Sequence, residues 1–115
     1  MELKVIKENE TVTHVALAGR LDIAGVQDVE GAFIDRIAAR RKPVLVDMSE
    51  VAFLTSTGIS MLIKAAEIMK SYGARMALLK PQPLVADTLR AAGIDHIMGM
   101  TDDEEKAMNL LKAVK

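Results

Sequence analysis

One segment, Pro43–Ile59, constrains the fold of this chain more than any other. It opens with the continuous apolar run Val44–Val46, which is typical of a strand buried on both faces of a sheet. It ends with three hydroxyl residues in a row, Thr55–Thr57, followed by Gly58, where a helical pattern begins. The segment therefore predicts a buried strand, a loop over Asp47–Thr57 and a helix start. The backbone N–H groups of a helix start lack partners, so this position favours an anion or a phosphate.

The rest of the chain alternates between strand and helix periodicities. Two segments, 3–8 and 11–18, predict strands of an antiparallel hairpin with its turn at Glu8–Glu10. Thr101 and Glu104 form a capping-box pattern at the start of the last helix. The remaining predicted elements are helices over about 25–40, 57–72 and 84–92, and strands over 44–46, 75–79 and 97–98.

This order of elements predicts an α/β fold. Parallel strands need long crossovers, and the predicted helices supply them. We expect a mostly parallel sheet with an antiparallel edge hairpin and about four helices. The length of 115 residues suits one hydrophobic core, and neither an internal repeat nor a linker interrupts the pattern, so residues 1–115 are predicted to form a single domain.

Composition excludes several classes of function. The formal net charge is -1, and one tyrosine and two phenylalanines offer few faces for stacking bases, so nucleic-acid binding is not expected. The absence of cysteine excludes disulfides, thiolate metal sites and a cysteine nucleophile, and it fits a cytoplasmic protein. No apolar run approaches the roughly 20 residues that span a bilayer, so neither membrane insertion nor an export signal is predicted.

Two predicted loops, Ala18–Asp22 and Asp47–Thr57, are expected to meet at the carboxyl edge of the sheet, where α/β proteins bind ligands. Asp22 and Asp47 are candidate acid/base groups, but carboxylates at strand ends more often cap a neighbouring loop, and we favour that interpretation. The two histidines lack metal-ligand spacing, and neither a catalytic serine elbow nor a phosphate-binding loop is present. We therefore predict no metal, no cofactor and no enzymatic activity.

The helix after Ser56 carries two apolar stripes rather than one. A helix that is apolar nearly all round is either core or faces two partners. In the simpler interpretation neighbouring helices cover the second stripe, which begins at Met61. In the other, Met61 belongs to a docking patch one turn after Ser56, since methionine suits adaptable contact surfaces.

The same residues carry a resemblance to a known family. Asp47–Ser49 followed by Val51–Ile59 resembles the signature segment of STAS-domain proteins, particularly stand-alone bacterial anti-sigma factor antagonists. Ala18–Asp22 is similar to the family's Gly-x-Leu-Asp loop, and Ala91–Ile94 to its Leu-x-x-x-Gly-Leu element. The resemblance spans essentially the whole chain and implies a STAS-like domain.

The resemblance also implies a function. Such an antagonist binds an anti-sigma factor that is also a serine kinase and is switched off when that kinase phosphorylates the first serine of the motif, which is Ser56 here. It further implies a serine phosphatase as a partner. Thr55 stands where the family usually has aspartate, which removes a negative charge beside the acceptor. The partner-binding residues expected on this basis are Asp22, Thr55, Ser56, Thr57, Gly58 and Met61.

Two alternatives stay open. One is a STAS-like subunit that regulates a transporter or a stress-signalling assembly, in which the hydroxyl cluster is never phosphorylated. The other is a small enzyme or nucleotide-binding domain, which needs a general base such as His14 or His96 near Ser56. Ser56 is also a candidate helix cap worth about 1 kcal/mol, a role compatible with phosphorylation. The signalling interpretation requires an exposed Ser56 at the helix start.

Overall fold

A five-stranded mixed sheet organises the structure, a computed structural model that describes residues 1–37 and 42–112. The strands follow one another across the sheet in chain order. The first pair is antiparallel and all later pairs are parallel, which confirms the predicted α/β fold with an antiparallel edge hairpin. The strands are β1 (Glu2–Glu8), β2 (Thr13–Leu21), β3 (Val44–Leu54), β4 (Met76–Leu79) and β5 (Gly99–Thr101).

Within the described residues, four α-helices pack on the two faces of this sheet. A π-helical segment, Phe33–Ile37, continues the first helix, and a 3₁₀ turn, Ile94–His96, follows the third. The predicted first helix extended to about residue 40, and residues 38–40 lie outside the described residues. The helices are α1 (Ile23–Ala32), α2 (Ser56–Lys70), α3 (Pro83–Ala91) and α4 (Glu104–Lys112). None of them combines the length and apolar character needed to cross a bilayer, as far as the structure describes the chain.

The hydrophobic core has two parts, one on each face of the sheet. Val44 and Val46 of β3 pack in the larger part with side chains from α1, α2 and α3. Leu45, between them, faces the smaller part, which α4 covers with Ala107 and Leu111. All three β3 side chains are fully buried, so the prediction of a strand covered on both faces is confirmed.

β3 is much longer than the predicted strand over 44–46. It continues to Leu54 because β2 runs beside it as far as Leu21, with shifts in register after Ala16 and after Gly19 that keep the two strands paired. The predicted loop over Asp47–Thr57 is therefore mostly strand. The predicted loop Ala18–Asp22 is also strand up to Leu21, and the loop interpretation was wrong for both segments.

The last strand and helix start later than predicted. The strand lies at Gly99–Thr101 rather than at 97–98, and the Lys80 N–H donates to the Thr101 carbonyl at 2.8 Å. Thr101 thus belongs to the sheet, and the Thr101–Glu104 capping box is wrong. Asp103 caps α4 instead, because its Oδ1 accepts from the N–H groups of Glu105 at 2.8 Å and Lys106 at 3.3 Å.

Candidate functional site

Ser56 is the first residue of α2, and its side chain is exposed, as the signalling interpretation requires. It follows the carboxyl end of β3 by one residue, Thr55, which adopts an extended conformation and occupies the N-cap position. Ser56 is therefore not the helix cap. Thr55 makes no side-chain hydrogen bond to the helix, and the first turn carries no acidic residue. The positive end of the α2 dipole is thus left without these two common forms of compensation.

Thr55 ties the helix start to the neighbouring strand. Its backbone N–H donates to the Leu21 carbonyl at 3.1 Å, and its Oγ1 donates to the same carbonyl oxygen at 3.2 Å. The segment that ends β2 and the segment that begins α2 therefore meet at the carboxyl edge of the sheet, as predicted. The Thr55 hydroxyl is engaged inside the protein, and its side chain is half-buried, as is that of Thr57.

Gly58 fits its position because it has no side chain. A Cβ there would lie 2.7 Å from both Cγ and the carbonyl oxygen of Leu21, and 2.9 Å from Cδ1 of Leu54. Gly58 is buried, so its observed role is close packing of the first turn of α2 against the ends of β2 and β3. This packing fixes the position from which Ser56 projects.

Asp22 lies next to Leu21 and caps α1. Its Oδ1 accepts from the Gly25 N–H at 2.9 Å, and its Oδ2 pairs with Arg20 Nε at 3.3 Å. The Gly25 N–H bond, assisted by Arg20, holds the pKa of Asp22 below its ordinary value. Asp47 likewise accepts from the Ser49 N–H at 2.8 Å. The capping interpretation is confirmed for Asp22, whereas Asp47 lies within β3 and bonds to the strand itself rather than to a neighbouring loop.

Met61 does not belong to an accessible surface. Its side chain is 1% exposed and lies in the larger part of the core. The prediction that it contributes to a docking patch is wrong, because the core encloses Met61 and Ala65 of the second apolar stripe of α2. The simpler interpretation of the two stripes is the correct one at this position.

Three residues near Ser56 were missed by sequence reasoning. Ile23 and Phe53 leave 63% and 42% of their surface exposed, which is unusual for large apolar side chains. Arg20 is the cross-strand partner of Phe53, and its guanidinium carbon lies 4.2 Å from the centre of the Phe53 ring. The register shifts between β2 and β3 create this pair, and single-strand patterns carry no signal for such shifts. Of these three residues, only Ile23 carried a signal in the sequence, namely its position directly after the cap residue Asp22.

The two histidines lie away from Ser56. His14 pairs with Leu45 near the start of β3, whereas Ser56 follows the end of that strand, on the order of 30 Å along it. The side chain of His96 is exposed, and its Nε2 lies 4.0 Å from Asp95. Within residues 1–37 and 42–112, no hydrogen bond joins either histidine to Ser56. Within the same residues no three His, Cys, Asp or Glu side chains cluster as a metal site would require.

The sequence of this chain matches a known protein family. The sequence profile of the family described as "Mlab, STAS domain" matches residues 5–102, which is most of the chain. The chain belongs to the STAS domain family. No curated protein matches its sequence significantly.

Solved structures of STAS proteins share this fold. An anti-sigma factor antagonist from Mycobacterium paratuberculosis is 21% identical with a TM-score of 0.80, covering 96% of this chain and 95% of its own. Unphosphorylated SpoIIAA, an anti-sigma factor antagonist, is 18% identical with a TM-score of 0.73 over 98% and 100%. SpoIIAA of Bacillus has also been solved in its phosphorylated form. The mouse anion transporter Slc26a9 is 18% identical with a TM-score of 0.77, over 93% of this chain but 18% of the transporter. At these identities the likeness establishes a shared fold.

Proposed function

We propose that this STAS domain is an anti-sigma factor antagonist that binds an anti-sigma factor serine kinase and is switched off by phosphorylation at Ser56. The observation that carries the proposal is the exposed Ser56 side chain at the start of α2, held in place by Thr55 and Gly58. Antagonists of this fold support it, and SpoIIAA exists in phosphorylated and unphosphorylated forms. In this proposal residues 1–115 act as one non-enzymatic domain in the cytoplasm, and a serine phosphatase removes the phosphate.

The docking surface of the proposal is centred on Ser56. We call it the Ser56 surface and define it by the exposed or half-exposed residues at this end of the sheet. Ile23 and Phe53 give it apolar area, and exposed apolar residues beside polar ones are typical of protein interfaces. Arg20 adds a cation, and arginine and aromatic residues often dominate binding energy at such surfaces. The Ser56 surface consists of Arg20, Asp22, Ile23, Phe53, Thr55, Ser56 and Thr57.

Phosphorylation changes the charge of this surface rather than the fold. A phosphoserine carries about -1.5 to -2 charges at pH 7. At the N-terminus of α2 that charge is favourable within the domain, because the helix dipole is positive there and no acidic residue occupies the first turn. We therefore expect little internal rearrangement. The switch acts through repulsion and desolvation at the contact with the partner.

Thr55 bears on how the kinase recognises its substrate. The family usually has aspartate here, but the Thr55 hydroxyl donates to the Leu21 carbonyl, a bond that a carboxylate cannot make. Compared with aspartate, Thr55 therefore lacks a negative charge but fixes the junction between β2 and α2. In this protein recognition by the kinase rests on the other residues of the Ser56 surface.

Phosphopeptide mapping tests the proposal. The full chain is expressed with an affinity tag in the cells it comes from, purified, and analysed by mass spectrometry. Ser56→Ala is compared with Ser60→Ala, because Ser60 is also exposed and lies one turn later on the same helix. We expect a phosphate on Ser56 in the wild type and in Ser60→Ala, and its loss in Ser56→Ala. Phosphate on Ser60 instead, or no phosphate under any growth condition, contradicts the proposal.

A second candidate is a STAS subunit that regulates a transporter without being phosphorylated. Thr55 in place of the usual aspartate favours it, and the mouse anion transporter Slc26a9 contains a domain of this fold. The same purification separates the two functions. An unphosphorylated chain that co-purifies with a membrane transporter supports the second candidate, whereas Ser56 phosphate and a co-purified serine kinase support the first.

A further inference from the structure

One face of the sheet is only partly covered by helices. The face opposite α1, α2 and α3, which we call the α4 face, carries the smaller part of the core. Ala77 and Leu79 of β4 lie there beneath α4 and are fully buried. Within residues 1–37 and 42–112, α4 is the one helix on this face, and it packs on β3, β4 and β5. The half of the face that β1 and β2 form is therefore left without a helix.

Strand pairing identifies the residues of this uncovered half. Side chains alternate between the two faces along β2, and Val15 and Leu17 lie in the larger part of the core, so Ala16 and Ala18 point to the α4 face. Both alanines are only half-buried, whereas Ala77 beneath α4 is fully buried. Directly paired residues of neighbouring strands share a face. The two alanines and their strand partners form what we call the open patch: Glu2, Lys4, Ala16, Ala18, Asp47 and Glu50.

The open patch is continuous with the Ser56 surface. Leu21, like Leu17, lies in the larger part of the core, so Arg20 points to the α4 face, two residues after Ala18. Phe53 is the strand partner of Arg20 and shares this face, with the guanidinium over its ring. Arg20 and Phe53 thus belong to the Ser56 surface and border the open patch. A protein bound at Ser56 can extend its contact over the carboxyl edge of the sheet onto the α4 face.

The dimensions of the open patch match one α-helix. From Ala16 to Arg20 the strand rises about 13 Å, and the axes of β1 and β3 lie about 10 Å apart. A helix is about 10 Å wide with its side chains, and about nine of its residues cover 13 Å. The small side chains of Ala16 and Ala18 let a helix approach the sheet closely. Helices commonly cover both faces of a mostly parallel sheet, so a helix beside α4 completes this layer.

The charges of the open patch favour a basic partner. Glu2 and Lys4 of β1 pair with each other at 3.9 Å, and Arg20 at the border is paired with the cap residue of α1 at 3.3 Å. Asp47 and Glu50 of β3 make no ion pair within residues 1–37 and 42–112. The uncompensated charge of the open patch is therefore negative and lies along β3.

We propose that the open patch docks a basic α-helix of the same partner that binds the Ser56 surface. This inference rests on the proposed function, in which that partner is the anti-sigma factor kinase. Apolar side chains of the docked helix pack on Ala16 and Ala18, and Lys or Arg side chains on one flank pair with Asp47 and Glu50. The contact lies outside the phosphorylation site, so it selects the partner without taking part in the switch.

Cysteine-directed crosslinking tests the proposal, because the chain has no cysteine of its own. A photoreactive maleimide is attached at Ala18→Cys in the open patch, at Ile23→Cys in the Ser56 surface, or at Lys64→Cys, an exposed control position on α2. Each labelled full chain is irradiated in an extract of the cells it comes from, and the crosslinked peptides are sequenced by mass spectrometry. We expect residues 18 and 23 to capture one serine kinase, residue 18 through a helical segment rich in Lys and Arg, and residue 64 not to capture it.

The outcomes separate this inference from the proposed function. No capture from residue 18, capture of a protein other than the one at residue 23, or an acidic crosslinked segment overturns helix docking. Phosphate on Ser56 in the mapping experiment then still supports the switch. Capture of one protein without kinase activity by residues 18 and 23, through a basic helix at residue 18, supports the docking surface and contradicts the phosphorylation switch.

Charge reversal at Glu50 assigns the contact. Unlabelled chains compete for the crosslink at residue 18, and Glu50→Lys is expected to need a roughly three- to tenfold higher concentration than the wild type, because it brings like charges together. Glu67→Lys is the matched control, since Glu67 is an exposed glutamate of α2 on the other face of the sheet. Both substitutions are at exposed positions, and thermal melts verify that the variants fold. Equal competition by the two variants and the wild type overturns the acidic docking contact.

Discussion

The two ends of α2 differ in how closely they are packed. At the first turn the Gly58 backbone lies against Leu21 and Leu54 with no room for a single Cβ, and Thr55 is hydrogen-bonded to β2. At the last turns Ala66 faces a cleft of about 790 Å³. Both ends belong to one helix of 15 residues, about 22 Å long.

This difference bears on how α2 presents Ser56. A side chain that another protein must engage in one geometry is best carried by a rigid element, and tight packing at Gly58 supplies that rigidity for Ser56. At the other end, small residues leave unfilled volume beside the helix. Variants at each end test whether the first turn of α2 is packed as tightly, and its last turns as loosely, as in the structure.

The largest effect is expected at Met61, which lies in the core just beyond the tight end. Met61→Ala removes a fully buried side chain and leaves a cavity, so the free energy of unfolding should fall by about 3 kcal/mol. Chemical denaturation measures this change. Ser60→Ala, at the exposed neighbouring position, should change stability by less than about 0.5 kcal/mol. If Met61→Ala is as mild as Ser60→Ala, the side chain is not in the core and the docking-patch interpretation returns.

Enlarging one residue at each end compares the two directly. Gly58→Ala places a methyl group against the Leu21 backbone, and the unfolding free energy should fall by about 2 kcal/mol despite the better helix propensity of alanine. Ala66→Leu extends a side chain into open space and should change stability by about 1 kcal/mol or less. Denaturation measures both variants. Equal losses of unfolding free energy would contradict the difference in packing between the two ends of α2.

The Thr55 hydroxyl allows a smaller test of the junction with β2. Thr55→Val keeps the shape but leaves the Leu21 carbonyl without its second donor, and the expected loss of stability is about 1 kcal/mol. Thr88→Val is the control, because its hydroxyl bonds only to the Leu84 carbonyl one turn earlier in α3. Should both valine variants melt at the same temperature as the wild type, Thr55 does not fix the helix start.

The smallest effect concerns Asp22, and it depends on pH. The Gly25 N–H bond and Arg20 lower the pKa of Asp22 from its ordinary value of 3.8, so the folded state prefers the carboxylate. The resulting stabilisation is present above the pKa of the unfolded chain and is lost as pH falls through the lower folded value. Asp22→Asn keeps the cap but cannot titrate, so any advantage of the wild type at neutral pH should disappear in strong acid. Thermal melts of both proteins measure this, and a gap that stays constant with pH excludes a role for the charge.

Much of the fold was predictable because its signals are local. Period-3.6 patterns identified the helices, and Val44–Val46 identified the centre of a sheet covered on both faces. The start of α2 was predicted within one residue, since the apolar helical pattern begins directly after the hydroxyl cluster. These features depend on neighbours in the chain, and sequence patterns report such neighbours well.

What depends on pairing between distant segments was not predictable. The end of β3 and the contact of Arg20 with Phe53 follow from register shifts between β2 and β3, which neither strand shows alone. The burial of Met61 depends on which of two apolar stripes the rest of the fold covers. Asp103, and not Thr101, caps α4, because Thr101 pairs with β4 in the sheet.

The affinity of the serine kinase for three forms of the domain tests the central claim most directly. The kinase that co-purifies in the mapping experiment is titrated with the wild type, with Ser56→Asp, and with Ser60→Asp, which places the same charge one turn along α2. We expect Ser56→Asp to bind at least about tenfold more weakly, because the charge faces the partner, and Ser60→Asp to bind nearly as tightly as the wild type. Wild-type affinity for Ser56→Asp, or equal losses for both variants, contradicts a switch at Ser56.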